Sequence, residues 1–207
     1  MDVSDPGRAL ATGLTMPILR AMSSRSNPTT AAQIYRVMQQ GTEAGVRRAI
    51  ERLAAQGVVL GEPVGDRTVY SLNHDHVLDR AIRALLRAPE ELPRRLRVEL
   101  ADWSIQPVSA ALYGSAARRD GDADSDIDIL LVRPVLGRSA TRDQWVRQVH
   151  QLREAVRRWT GNRVQITDRS RTTLRRLAAA REPIVDQWLT DAVVIAGQPL
   201  DELVDVA

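Results

Sequence analysis

The chain has 207 residues, 43% of them apolar, with 29 Lys+Arg against 26 Asp+Glu and no cysteine. That is length enough for one large core or two small ones and too apolar for a disordered chain, and it excludes disulfides and thiolate metal sites. Every positive side chain is arginine, so the P-loop NTPase, Schiff-base and protein-kinase mechanisms, which each need a lysine, are excluded in their usual form.

The net charge is only +3; guanidinium groups titrate so high that they raise the isoelectric point without implying a nucleic-acid ligand. Distribution is more informative. Residues 1–75 are nearly balanced, whereas 157–181 carry eight arginines against one acid, Asp168. Such a surplus marks a candidate anion-binding surface. No apolar run reaches the length of a membrane span, and the opening "MDVSDPGR" lacks the apolar stretch of a secretory signal. A cytoplasmic protein without a membrane partner is expected.

In chain order, "MPILRAM" (16–22) reads as a short helix entered through Pro17. Thr30 and Gln33 form a capping box for a second helix. Thr42 is an N-cap and Gly57 a stop for a third, whose Val46, Ala49, Ile50 and Leu53 recur at helical spacing. "VVLGEPVGDRTVYSL" alternates on both sides of Gly65-Asp66, the pattern of a β-hairpin. Over 14–73 this order resembles the winged helix-turn-helix family. The resemblance makes Thr42–Leu53 the recognition helix and Gly65–Arg67 the wing. Thr42, Arg47, Arg48, Arg52 and Arg67 are then the side chains that would meet DNA.

Residues 74–104 read as two helices broken near Ala88-Pro89, one with a stripe of Leu78, Ile82, Leu85 and Leu86, the other with Leu92, Leu96, Val98 and Leu100. His74 and His76 lack a third ligand and read as a turn leaving the hairpin. From 107, strands and helices alternate: "PVSAALYG", "SDIDILLV", "NRVQIT" and "DAVVIAG" as strands, with a long amphipathic helix between the second and third. The expected division is 1–75, a helical connector over 76–104, and 105–207, in the α+β class.

The stretch "YGSAARRDGDADSDIDILLV" (113–132) is the chemical centre of the sequence. On a strand, Asp126 and Asp128 share one face while Ile127 and Ile129 share the other. Two adjacent carboxylates repel unless a cation lies between them, and oxygen ligands without cysteine suit Mg²⁺ or Mn²⁺. Gly114 lets a phosphate approach the backbone, and the Ser115 hydroxyl can donate to it. Asp120, Asp122 and Asp124 read as loop charges.

Gly-Ser followed after ten residues by Asp126-Ile127-Asp128, with Ser125 just before, resembles the signature of polymerase-β-type nucleotidyltransferases, above all the minimal ones of toxin–antitoxin systems. The resemblance spans about 107–200. It implies that Asp126 and Asp128 are catalytic and hold the metal, that Gly114, Ser115 and Arg118 bind the triphosphate, and that an NMP passes from an NTP to a hydroxyl. AMP from ATP is the first choice, and a protein or RNA the acceptor. The family's third carboxylate is missing: the matching position is Gln165, and Asp168 reaches the site only if the strand ends or bulges at Thr167. The alternative from another class is a DNA-binding regulator whose nucleotidyltransferase domain is an inactive nucleotide sensor. An antibiotic-type adenylyltransferase ranks third, because the chain lacks an evident extra substrate-binding domain.

Overall fold

The structure, a computed structural model, describes residues 1–11 and 13–204. It is α+β, and it divides into two compact units: Asp5–Pro89, and Met1–Ser4 together with the chain from Glu90 onward.

The first unit is built from α1 (Thr15–Ser23), β1 (Thr29–Thr30), α2 (Ala31–Met38), α3 (Glu43–Ala55), β2 (Val59–Val64), β3 (Arg67–Leu72) and α4 (Asp79–Arg87). The expected caps are present. Thr30 accepts from the Gln33 N–H at 3.3 Å while the Gln33 carboxamide accepts from the Thr30 N–H at 2.9 Å. The Thr42 hydroxyl accepts from the Gly45 N–H at 3.1 Å, satisfying one of the free donors of the first turn of α3. Gly65 adopts φ +64° and with Asp66 closes the hairpin in the register Val64 to Arg67. β1 adds a third antiparallel strand, giving the order β1-β3-β2. The core gathers Met16, Ile18, Ile34, Val46, Ile50 and Tyr70, each fully buried aliphatic side chain contributing about 1.5–3 kcal/mol.

The stretch 76–104 is cut by the division of the chain: α4 packs on α1, whereas α5 (Glu91–Ala101) packs on a long helix, Ser139–Thr160, and a strand, Val193–Gly197, of the second unit.

That unit continues with β4 (Ser109–Tyr113), α6 (Gly114–Arg118), β5 (Ile127–Arg133), α7 (Ser139–Thr160), β6 (Val164–Ser170), α8 (Arg171–Ala179), α9 (Pro183–Asp191), β7 (Val193–Gly197) and α10 (Leu200–Val204). The sheet order is β6-β5-β4-β7. β5 and β6 are parallel, joined through α7, and the other pairs are antiparallel. Alternation along β5 supplies both faces. Ile127, Ile129 and Leu131 join Leu96, Leu100, Trp145 and Leu152 on one side. Leu130 and Val132 join Leu174, Val185 and Trp188 on the other. Among the described residues no helix is long and apolar enough to cross a membrane.

Candidate active site

β4 and β5 pair so that Tyr113 faces Asp128 across the ladder. The chain turns at the next residue, Gly114, whose φ is +69°. The left-handed backbone favours glycine here, and a Cβ would lie 2.6 Å from Asp128 Oδ2, so a side chain would also have to displace that carboxylate. The pairing of β4 with β5 is what brings the Gly-Ser turn beside the aspartates.

Asp126 directly precedes β5 and Asp128 is its second residue, both half-buried, with Ile127 between them fully buried. Burial, then the neighbouring Asp126 charge, push the Asp128 carboxyl above its ordinary pKa, and Arg118 pulls it back. The charged form of Asp128 is therefore disfavoured where it stands, and a cation beside it would favour that form. Gln165 stands opposite Asp128 on β6, and its Nε2 donates to Asp126 Oδ2 at 2.6 Å. Among the described residues no group of three or more His, Cys, Asp or Glu gathers to hold a metal. Two carboxylates still fit a Mg²⁺ ion that takes its remaining ligands from phosphates and water.

Asp168 is a correction. β6 runs in unbroken register with β5 from Val164 to Ser170, so no bulge occurs at Thr167. Asp168 pairs with Leu131 and lies on the α7 face, away from Asp126 and Asp128. Its Oδ1 accepts from Arg133 and its Oδ2 from the Trp145 indole N–H, both at 2.9 Å. It is a structural acceptor, and the residues of β6 on the carboxylate face are Gln165, Thr167 and Arg169.

Arg118 donates to Asp120 and to Asp191, each at 2.9 Å, and both bonds raise its pKa. Asp191, the last residue of α9, thus holds Arg118 near the turn, a partner 73 residues distant that no local pattern announces. Ser125 shapes the loop: its hydroxyl donates to Asp122 Oδ1 at 2.8 Å and accepts from the Asp122 N–H at 2.9 Å. Buried Asn162 donates to the Ser125 carbonyl at 2.9 Å, and Ile127 N–H donates to the Arg163 carbonyl. These bonds fix the approach of the chain to Asp126.

The arginines of 157–181 lie on α7, β6 and α8, with Arg163 just before β6 and Arg181 just after α8. Arg157 and Arg158 end α7, where cations oppose the helix dipole. Arg169 and Arg176, with Arg133, line a cleft of about 450 Å³ that begins at Tyr113, whose hydroxyl is 3.0 Å from the Thr167 hydroxyl.

In the first unit, Arg47, Arg48, Arg52 and Arg67 are all exposed. Arg47 approaches Glu43 at 3.5 Å and Arg67 approaches Asp66 at 3.8 Å. His76 holds the turn before α4, with Nε2 3.1 Å from the Gln56 carbonyl and Nδ1 accepting from Leu78 N–H.

No protein-family model matches the chain, and no curated protein matches it. Among solved structures the chain is similar to a crystal structure of a toxin-antitoxin with AMP-PNP, at 17% identity and a TM-score of 0.36, over 54% of this chain and 80% of that one. A score that low does not establish a shared fold.

Proposed function

We propose that the chain is a nucleotidyltransferase that moves an NMP, AMP from ATP first, onto a hydroxyl of a protein or RNA acceptor, within a toxin–antitoxin-like system. The observation that carries this reading is the seating of Gly114 against Asp128, which puts a phosphate-accommodating turn beside a pair of carboxylates whose charged form a cation would favour. Gly114 and Ser115 bind the β- and γ-phosphates, and Arg118 neutralises the leaving group. The acceptor oxygen forms a bond to the α-phosphorus, the bond to the bridging oxygen breaks, and pyrophosphate leaves. Asp126 and Asp128 would hold a divalent cation, which would supply charge stabilisation to the reacting oxygens. Gln165 cannot take the acceptor's proton, which therefore leaves through the aspartates or water. The arginine-lined cleft beyond Tyr113 gives an anionic acceptor a place to lie.

Pyrophosphate release from each NTP with Mg²⁺, in the presence of cell extract as acceptor source, tests the reading. Asp126→Asn and Asp128→Asn are expected to abolish release while the fold is kept. Release that survives both substitutions refutes the metal assignment.

The hydrogen bond from Gln165 to Asp126 favours a second reading, a nucleotide sensor without turnover attached to a DNA-binding domain. The first unit supports that domain through its helix–helix–hairpin order and the exposed Arg47 and Arg48. Arg47→Ala with Arg48→Ala is then expected to weaken DNA retention and to lower its salt slope by about two. Failure of the wild type to retard any DNA, its own upstream region included, removes this reading.

A further inference from the structure

The first unit holds a cleft that neither the carboxylate pair nor the hairpin explains. It measures about 610 Å³ and lies between the end of α1, β3 and α4, within the range of sites that enclose a small molecule. Its floor is apolar: Met22 and Val58 are each 5% exposed, and Leu72 lies beside them. Its other wall is Ile82 and Leu86 of α4. α4 carries an apolar stripe, yet none of its residues is fully buried. Ile82, Leu85 and Leu86 pack against the core only in part, which leaves some of their apolar surface open to the cleft.

The rim is cationic. Arg25, Arg83 and Arg87 line the cleft with His74 and one acid, Asp79. That acid is already engaged: Asp79 Oδ1 is 2.9 Å from His74 Nδ1, and Arg83 Nε reaches Oδ2 at 2.8 Å. Arg25 and Arg87 make no ion pair among the described residues. Two uncompensated guanidiniums beside an apolar trough select a molecule with an apolar body and an anionic head, since the planar fork binds carboxylate or phosphate in pairs of hydrogen bonds.

We propose that the cleft under α4 is a binding site for a small amphipathic anion. The site stands apart from the nucleotide reading, so failure of one leaves the other untouched. Calorimetric titration of the full chain with decanoate tests it, with decyltrimethylammonium as the cationic counterpart. Expected are saturable binding of one decanoate per chain, little binding of the cation, and hydrogen exchange slowed in α4 and β3 but not in β5. Arg25→Gln with Arg87→Gln, both at exposed positions, is expected to weaken decanoate at least tenfold with the melting temperature unchanged. The proposal falls if decanoate does not saturate, if the double variant binds it equally, or if the cation binds as well. It also falls if the chain sediments as a dimer that Leu86→Arg dissociates, because a second copy then fills the cleft.

Discussion

Asp128 carries the clearest conflict between stability and function. Its carboxyl is raised above the ordinary value by burial first and by Asp126 second, with Arg118 opposing. A raised acid favours its protonated form in the fold, so the associated stability is full below the unfolded pKa and is lost as pH rises through the folded one. The metal-free protein at pH 7 therefore bears a destabilising charge. Asp128→Asn is expected to raise the melting temperature by a few degrees at pH 7 and to give no gain near pH 3.5. Mg²⁺ is expected to stabilise the wild type and not the variant. A variant less stable than wild type at pH 7 would show that Asp128 is held by favourable contacts and not strained by its neighbours. Gln165 softens the same conflict, because its amide gives Asp126 a neutral donor.

At the scale of elements, α5 begins with a local charge device. Glu91, in its first turn, accepts from Arg94 at 2.6 Å and from Arg95 at 2.9 Å. The Arg94 bond, then the Arg95 bond, hold its carboxyl down at about 2, against 4.5 ordinarily. A lowered acid gives stability above the unfolded pKa that disappears as pH falls through the folded one. The group is 39% exposed, so screening keeps the effect under about 1 kcal/mol. Glu91→Gln is expected to cost that much in a urea titration at pH 7 and clearly less at pH 2; an equal loss at both would trace the effect to packing. Devices of this short range were legible beforehand. The Thr30–Gln33 box, the Thr42 cap and the alternation of β5 each lie within a few residues, where spacing determines geometry. The reach of β6 was not. "NRVQIT" breaks off at Thr167, but parallel pairing with all of β5 carries the strand to Ser170. That continuation keeps regular parity and puts Asp168 on the far face. β1, two residues long, has no periodicity to read. Asp191 and Asn162 act across 73 and 37 residues, distances over which only the tertiary fold joins side chains.

For the whole molecule the decisive fact is how the cores divide. The cluster around Met16, Ile34 and Ile50 draws every member from Asp5–Pro89. The two clusters flanking the four-stranded sheet draw theirs from the other unit. Among the described residues no buried side chain belongs to both sets of clusters, and additive effects of lesions in the two cores are expected. The tryptophans make this measurable: Trp103, Trp145, Trp159 and Trp188 all lie beyond residue 90, so indole fluorescence reports the second unit only. Ile50→Ala removes a fully buried side chain and should cost the first unit about 2–5 kcal/mol. The far-UV circular dichroism melt is expected to split, with an early phase from the helices of the first unit, while the tryptophan transition keeps its wild-type midpoint. ATP with Mg²⁺ should then raise the tryptophan midpoint and leave the early phase in place, because the ligand acts only on the unit that holds it. A tryptophan transition that drops together with the early phase would mean that the units unfold as one. In that case the carboxylate site and the arginines of α3 would be energetically coupled, and nucleotide occupancy would carry through to DNA binding.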